Sequence, residues 1–366
     1  MKTKSFYVVI LLISILGWSC SNNDLNQGTL KSSLNQSVQE LTTALNVISS
    51  SNGYQVLSTP TVTDNTASMV KSSVLSFDST YNSILLADIA GVYDYKATYK
   101  RGSMSAFRFF TKTAESTHMI VRLPEEKVKN PRVLLHFTPA DTMLTNNYVI
   151  DLSKYEYHFN RYLGWDYQMA STINIKNVDA GALAIQSSNS RMSGYKYASE
   201  FVFTDGYKAS CSYASGDTAV ATYAVSDGTK TLYAEKYTAI KTSGDNRHRE
   251  KEYSLTIGNV EIVRERNHHN NVLDSAKVYV DGVLQVNAKI EIVDVDSATT
   301  DGTENCVINH KRDLKITFDD GTSTTISELL GTSVTTIRNL FAALRQASFA
   351  TNIVDWIAWD IYTSRD

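Results

Sequence analysis

A side-chain period of two, punctuated by Asp-Gly turns, governs the middle of this chain. From about Gly91, Tyr93, Tyr95, Ala97 and Tyr99 face one way, while Asp94, Lys96, Thr98 and Lys100 face the other. That is the pattern of a strand with one buried and one wet side. It returns in Tyr155, Tyr157 and Phe159, in Trp165, Tyr167 and Met169, and in Tyr195, Tyr197, Phe201 and Phe203. One-sided strands in succession, joined by short turns, imply antiparallel sheet.

Register decides which side chains share a face, so each Asp-Gly dipeptide can be tested by the pairing it forces. Between Phe201 and Cys211, a two-residue loop at Asp205-Gly206 pairs Phe203 with Lys208 and mixes the faces. A three-residue loop, Thr204-Asp205-Gly206 with Gly206 left-handed in a G1 bulge, pairs Phe203 with Tyr207, Phe201 with Ala209 and Ser199 with Cys211. The same reasoning gathers Ala276, Val278, Leu284, Val286, Ala288 and Ile290 on one face with a three-residue loop at Val280-Asp281-Gly282. Ser226-Asp227-Gly228 and Asp319-Asp320-Gly321 read as two further turns.

Helical periods flank this region. Leu30, Leu34, Val38, Leu41, Leu45 and Ile48 form one face, with Asn52-Gly53 as the expected stop. Residues 59–66 read as a loop, and Met69 to Leu86 as a short helix. Past Gly331, Val334, Ile337, Phe341 and Leu344 share a face behind Ser333 as the expected N-cap. The closing run from Ile353 to Tyr362, interrupted by Asp355 and Asp360, reads as a helix packed on the sheet. The expected fold is mainly antiparallel β, a β-rich α+β arrangement of about a dozen strands. A strongly curved sheet or open barrel is preferred over a two-sheet sandwich, with terminal helices (29–52 and 333–362) packed on it. No Pro/Gly/Ser linker interrupts residues 91–320, so 29–366 reads as a single domain.

The N-terminus is of a different kind. Lys2 and Lys4 precede an apolar core from Phe6 to Trp18, and polar Ser-Asn-Asn-Asp follows Cys20, which is the pattern of a signal peptide over residues 1–19. The Ser19-Cys20 junction, with Leu16 upstream, resembles lipoprotein precursors of the Bacteroidota type. Gly17 departs from the aliphatic usual at its position. The resemblance covers only the first two dozen residues. It implies a Cys20 acylated with chains such as palmitate, a tether over 20–28, and a place in the cell envelope, on the outer membrane and periplasmic or surface-facing. Each buried acyl CH₂ contributes about 0.8 kcal/mol, so several chains anchor a protein without a spanning helix.

The whole chain carries 35 basic and 38 acidic residues, a net charge of -3. Removing Lys2 and Lys4 takes it to -5, which disfavours nucleic acid and leaves membrane attachment to the lipid. The sequence has no G-x-S-x-G, HExxH, P-loop or G-x-G-x-x-G pattern, so no catalytic residues and no cofactor are assigned. Glu125, Glu126, Asp151, Glu156, Asp166 and Glu200 could supply a glycosidase pair, but a solvated surface explains them as well. His248, His268 and His269 lie among Arg247, Arg249, Arg264 and Arg266, which repel a cation. Asp294, Asp296, Asp301 and Glu304 lack EF-hand spacing, so no metal is expected at either cluster. Cys211 alternates with Tyr207, Ala209 and Tyr213, which favours a buried thiol over a bridge to Cys306.

The chain holds 21 Tyr, 12 Phe and 4 Trp, and residues 155–169 concentrate aromatics around a turn from Asn160 to Gly164. Tyrosine has an apolar body and a polar tip, which suits half-wet surfaces. Tyr155, Tyr157, Tyr162, Trp165 and Tyr167 are therefore the candidate ligand-binding residues, with the packed face of the sheet as the competing role. The functional expectation is a membrane-anchored, non-catalytic envelope lipoprotein that binds a hydrophobic, lipid-like or glycan ligand on a β scaffold. The alternative is a structural or adhesive cell-surface subunit without a small-molecule pocket, and an envelope hydrolase ranks third.

Overall fold

The structure, a computed structural model, describes residues 29–58, 81–96, 106–129, 143–241, 249–266, 275–299, 307–346 and 348–364. Its centre is an antiparallel meander in which each strand pairs with the next. The first strands are β5 (Tyr148–Asn160), β6 (Gly164–Ile175), β7 (Val178–Ser190), β8 (Gly194–Val202), β9 (Lys208–Ala214) and β10 (Thr218–Ser226). The meander continues through β11 (Thr231–Lys241), β12 (Arg249–Ile257), β13 (Val260–Arg266), β14 (Ser275–Val280) and β15 (Val283–Leu284). Ahead of it come β1 (Tyr81–Leu85), β2 (Gly91–Tyr95), β3 (Phe110–Ala114) and β4 (Met119–Leu123). β5 is long enough to take two partners along one edge, β4 against Tyr148–Leu152 and β1 against Glu156–Asn160. A bulge between Leu152 and Lys154 separates the two. β2 joins β4 in parallel, an exception to the antiparallel rule.

These fifteen strands make one open sheet with β15 and β3 at its ends. A second sheet of three strands comprises β16 (Lys289–Thr299), β17 (Val307–Thr317) and β18 (Ser323–Thr325). The fold is β-rich as expected, with eighteen strands among the described residues against the dozen or so read from spacing.

The helices are α1 (Leu30–Ser50), α2 (Asn52–Ser58), α3 (Leu86–Ile89), α4 (Glu125–Lys129), α5 (Ile326–Leu330), α6 (Ser333–Gln346) and α7 (Ser348–Thr363). None of the helices among the described residues is long and apolar enough to cross a membrane. α1 buries Leu30, Leu34, Leu41, Leu45 and Ile48, and crosses the turn end of the meander. There the Ser37 hydroxyl donates to Asn259 Oδ1 at 3.1 Å, and Lys230 meets Glu40 at 2.6 Å. On the sheet, Leu183, Phe201, Ala209, Val225, Tyr233 and Ile257 lie opposite one another on consecutive strands and are all buried. Each such side chain of Val, Leu, Ile or Phe size contributes about 1.5–3 kcal/mol. α6 packs Phe341 between Tyr223 and Tyr233, with ring centroids 5.3 and 6.3 Å away.

Several local expectations are corrected. Asn52-Gly53 does not end the chain's first helical region. α1 stops at Ser50, just ahead of them, Ser51 turns extended, and its hydroxyl accepts from Tyr54 N at 3.1 Å to start α2. Gly53 serves close packing instead, since a Cβ there would lie 2.4 Å from the Ala180 carbonyl oxygen. Of the expected helix from Met69 to Leu86, residues 69–80 fall outside the described set, as does the expected loop at 59–66, and Tyr81–Leu85 is a strand because β5 offers it a free edge. Ser333 sits inside the first turn of α6, and its hydroxyl pairs with that of Thr42 at 3.2 Å.

The turns divide. Gly206 has φ +85, Phe203 N donates to Tyr207 O at 2.9 Å, and Phe201 and Ser199 face Ala209 and Cys211, the expected three-residue loop. Phe318, Gly321 and Thr322 repeat the same hydrogen bonds. At Asp281-Gly282 the loop has two residues, with Val280 opposite Val283. Asp281 and Gly282 both have positive φ, +49 and +78, as a type I′ turn requires. Asn259 in the neighbouring turn holds Asp281 there, since its Nδ2 donates to Asp281 Oδ2 at 2.9 Å. Val283, Leu284 and Val286 are consequently exposed rather than part of a buried face.

Candidate functional site

Pairing registers place one continuous transverse row on the helix-bearing face of the sheet. From β5 to β8 it contains Tyr157, Tyr167, Ser187 and Tyr197. From β9 to β13 it continues through Tyr213, Ala221, Tyr237, Tyr253 and Arg264. In the next row toward the helices Met169, Ile185, Cys211, Leu255 and Ile262 are buried, while Tyr223 and Glu235 are half-buried. The tyrosines thus mark the border between the helix-covered and uncovered halves of the face, where an apolar ring with a polar tip is the fitting side chain.

Cover along this border is uneven. At the β5–β6 end, α7 lies over the row: the Tyr155 hydroxyl donates to Asp355 Oδ1 at 3.0 Å, and Tyr155 and Tyr167 meet edge to face at 5.6 Å. The Tyr167 hydroxyl is buried outside hydrogen-bonding geometry, yet its proximity to Asp355 still favours the charged carboxylate. Burial outweighs both hydroxyls and raises the Asp355 pKa to about 7.

At the β9–β13 end the row is uncovered. Here Ala219, Ala221 and Ala239 form the floor of a groove of about 370 Å³, walled by Tyr213, Tyr237 and Tyr253. The volume falls in the 300–1,000 Å³ span typical of small-molecule sites. Tyr213 and Tyr237 are 41% and 46% exposed, and the Tyr237 and Tyr253 rings stand 4.9 Å apart. Glu235 sits one row deeper; its Oε2 accepts from the Tyr237 hydroxyl at 2.9 Å and its Oε1 from Tyr233. Burial, followed by the Glu235 charge, pushes the Tyr237 pKa up to about 12. The groove thus combines a small-residue floor with aromatic walls, and the Tyr237 hydroxyl is bonded to Glu235.

The five sequence-derived candidates do not form one site. Tyr155 and Tyr167 are buried core residues, Tyr155 bonded to Asp355 on α7 and Tyr167 packed edge to face on Tyr155, which corrects their assignment to ligand contact. Tyr157 belongs to the row and is half-buried. Trp165 is packed against the core, with Tyr195 at 6.1 Å. Tyr162 alone is exposed, at 63%, in a hairpin tip where Asn160 Oδ1 accepts from the backbone N–H groups of Tyr162 and Leu163. The groove residues were missed, although the alternating Ala219, Ala221 and Tyr223 with Tyr237 and Ala239 carry the signal of small side chains opposite large ones on one face.

None of the six carboxylates considered for hydrolysis lines the groove. Glu125 meets Lys176 at 2.9 Å, Asp151 meets His118 at 2.8 Å and Glu200 meets Lys208 at 3.7 Å. Cys211 is buried, with Sγ 3.0 Å from the Ser199 hydroxyl. Cys20, Cys306, His248, His268, His269, Asp301 and Glu304 lie outside the described residues, as do the side chains of Asp294 and Asp296. Comparisons with protein-family models, with curated proteins and with solved structures find no match.

Proposed function

We propose that this chain is a lipid-anchored envelope protein whose sheet binds a small ligand without catalysing a reaction. The anchor is the acylated Cys20 implied by the N-terminal resemblance. The ligand site is the groove between Tyr213, Tyr237 and Tyr253, and the uncovered alanine floor is the observation that carries the reading. Partly bare apolar surface in a groove beside the helix-covered core is the default place to look for a small ligand. A lipid-like chain or the flat face of a sugar ring would each fill it.

Native mass spectrometry of the full chain extracted from a bacterial envelope tests this. A stoichiometric small-molecule adduct is expected on the wild-type monomer and none on Ala221→Phe, whose ring fills the floor. An adduct retained unchanged by Ala221→Phe would remove the groove from the reading. The structural or adhesive alternative draws on the sheet end at β15, where Val283, Leu284 and, just after the strand, Val286 are exposed. Exposed apolar side chains at a sheet end offer a contact surface to another chain, and a bare oligomer in the same experiment would favour it.

A further inference from the structure

The direction of α1 tells where the anchored end of the chain leaves the fold. Glu40 meets Lys230 in the turn between β10 and β11, and Ser37 meets Asn259 in the turn between β12 and β13. Toward its N-terminus, α1 therefore runs in the direction of β15. Asn259 also donates to Asp281, in the turn between β14 and β15. Leu30 lies about 10 Å ahead of Ser37 at about 1.5 Å per residue. The β14–β15 hairpin lies about 10 Å beyond Asn259 at about 4.8 Å per strand, so the helix starts roughly level with it. Lys31 holds that start against Asp320 at 2.8 Å. The ten peptide steps from Cys20 to Leu30 reach at most about 36 Å.

The same end of the sheet presents apolar side chains to solvent. Val283, Leu284 and Val286 are all exposed, Val286 at 80%. The cations beside them are paired, Lys31 with Asp320 and Lys289 with Glu291 at 3.1 Å. An apolar patch with its charges balanced suits the boundary between headgroups and acyl chains, without requiring anionic lipid. We infer that Val283, Leu284 and Val286 rest on the lipid surface that holds Cys20, seating the β15 end of the sheet on the membrane. This rests on the acylated anchor, and it adds how the domain stands on it. A second copy of the chain is the rival occupant, but the short reach from Cys20 brings lipid to this end first. The groove then opens away from the membrane, since Lys251 in its lining precedes the turn at Gly258 by seven residues, about 23 Å of strand.

The protein as matured in a bacterial envelope, purified in detergent and reconstituted with phosphatidylcholine vesicles, tests the inference. Photoreactive benzoylphenylalanine is placed at Val286 or, as a control, at Met192. Met192 is 98% exposed in the turn after β7, whose thirteen residues carry it about 40 Å from the α1 end. Lipid adducts, read from peptide masses, are expected to be roughly tenfold more abundant at Val286 than at Met192. With the probe at Val283, Val286→Asp should bring them down to the Met192 level while Cys20 still floats the protein with the vesicles. Equal adducts at Val286 and Met192 would overturn the docking and leave the anchor standing, as would crosslinks at Val286 to a second copy in place of lipid. Failure of the wild-type protein to float with the vesicles would overturn the anchor and the docking together.

Discussion

The hydroxyl of Tyr155, on β5, donates to the carboxylate of Asp355, on α7, across 3.0 Å of buried interior. A strand and a helix 200 positions apart in sequence are joined there by an acid that burial makes reluctant to ionise. An aspartate that breaks an apolar run in the sequence is thus an internal tie rather than a solvent-facing residue.

This tie sets a pH dependence. The Asp355 pKa is raised from 3.8 to about 7 in the folded state. Between those values the unfolded chain has released the proton and the folded chain holds it, so stability falls as pH rises through the window and levels off above it. The full effect is about 4 kcal/mol. Urea denaturation of wild type and Asp355→Asn at intervals from pH 4 to pH 8 measures it. The difference between the two curves should shift in favour of the asparagine variant as pH rises. Parallel curves would show that Asp355 is not buried as described.

Packing at the α1–α2 junction predicts that Gly53→Ala is destabilising despite alanine's better helix propensity. The new Cβ meets the Ala180 carbonyl oxygen at 2.4 Å and ring carbons of Phe203 and Phe201 at 2.8 and 2.9 Å. Overpacking of this kind costs about 1–3 kcal/mol, against a propensity gain of about 1 kcal/mol. Gly206→Ala meets nothing within 4 Å, so its cost is the strain at φ +85 alone, about 1–2 kcal/mol. Chemical denaturation of both variants gives the comparison, and a stabilised Gly53→Ala would contradict the close approach.

Glu235 is held between two phenol groups, so Tyr233→Phe and Tyr237→Phe should each cost about 1.5 kcal/mol through loss of a hydrogen bond to a charged acceptor. Removing both leaves a half-buried carboxylate without these donors. The double variant is therefore expected to lose more than the sum of the singles, and strict additivity in the denaturation energies would count against a shared acceptor.

Alkaline titration reports on the tyrosine border itself. Burial raises the pKa of Tyr157 and of Tyr237 to about 12, above the ordinary value of 10. Each phenol therefore ionises first in the unfolded chain, and stability declines as pH climbs from about 10 toward 12. Tyrosinate absorbance should show a class of residues that titrates only with unfolding.

Local pattern was enough to read the antiparallel strands, the apolar face of α1, the helical C-terminus and the bulged turn at Gly206, because periodicity and turn chemistry are properties of neighbouring residues. It failed where a distant partner decided the outcome. Asp281-Gly282 became a two-residue turn because Asn259 holds Asp281, and Tyr81–Leu85 became a strand because β5 had an edge to offer. The candidate site was legible only as a type of side chain. Every tyrosine on an inner face looks alike in sequence. Whether it closes a core, as Tyr155 and Tyr167 do under α7, or walls a groove, as Tyr213 and Tyr237 do beyond the reach of α6, depends on which stretch of sheet the helices happen to cover, and that is settled by packing alone.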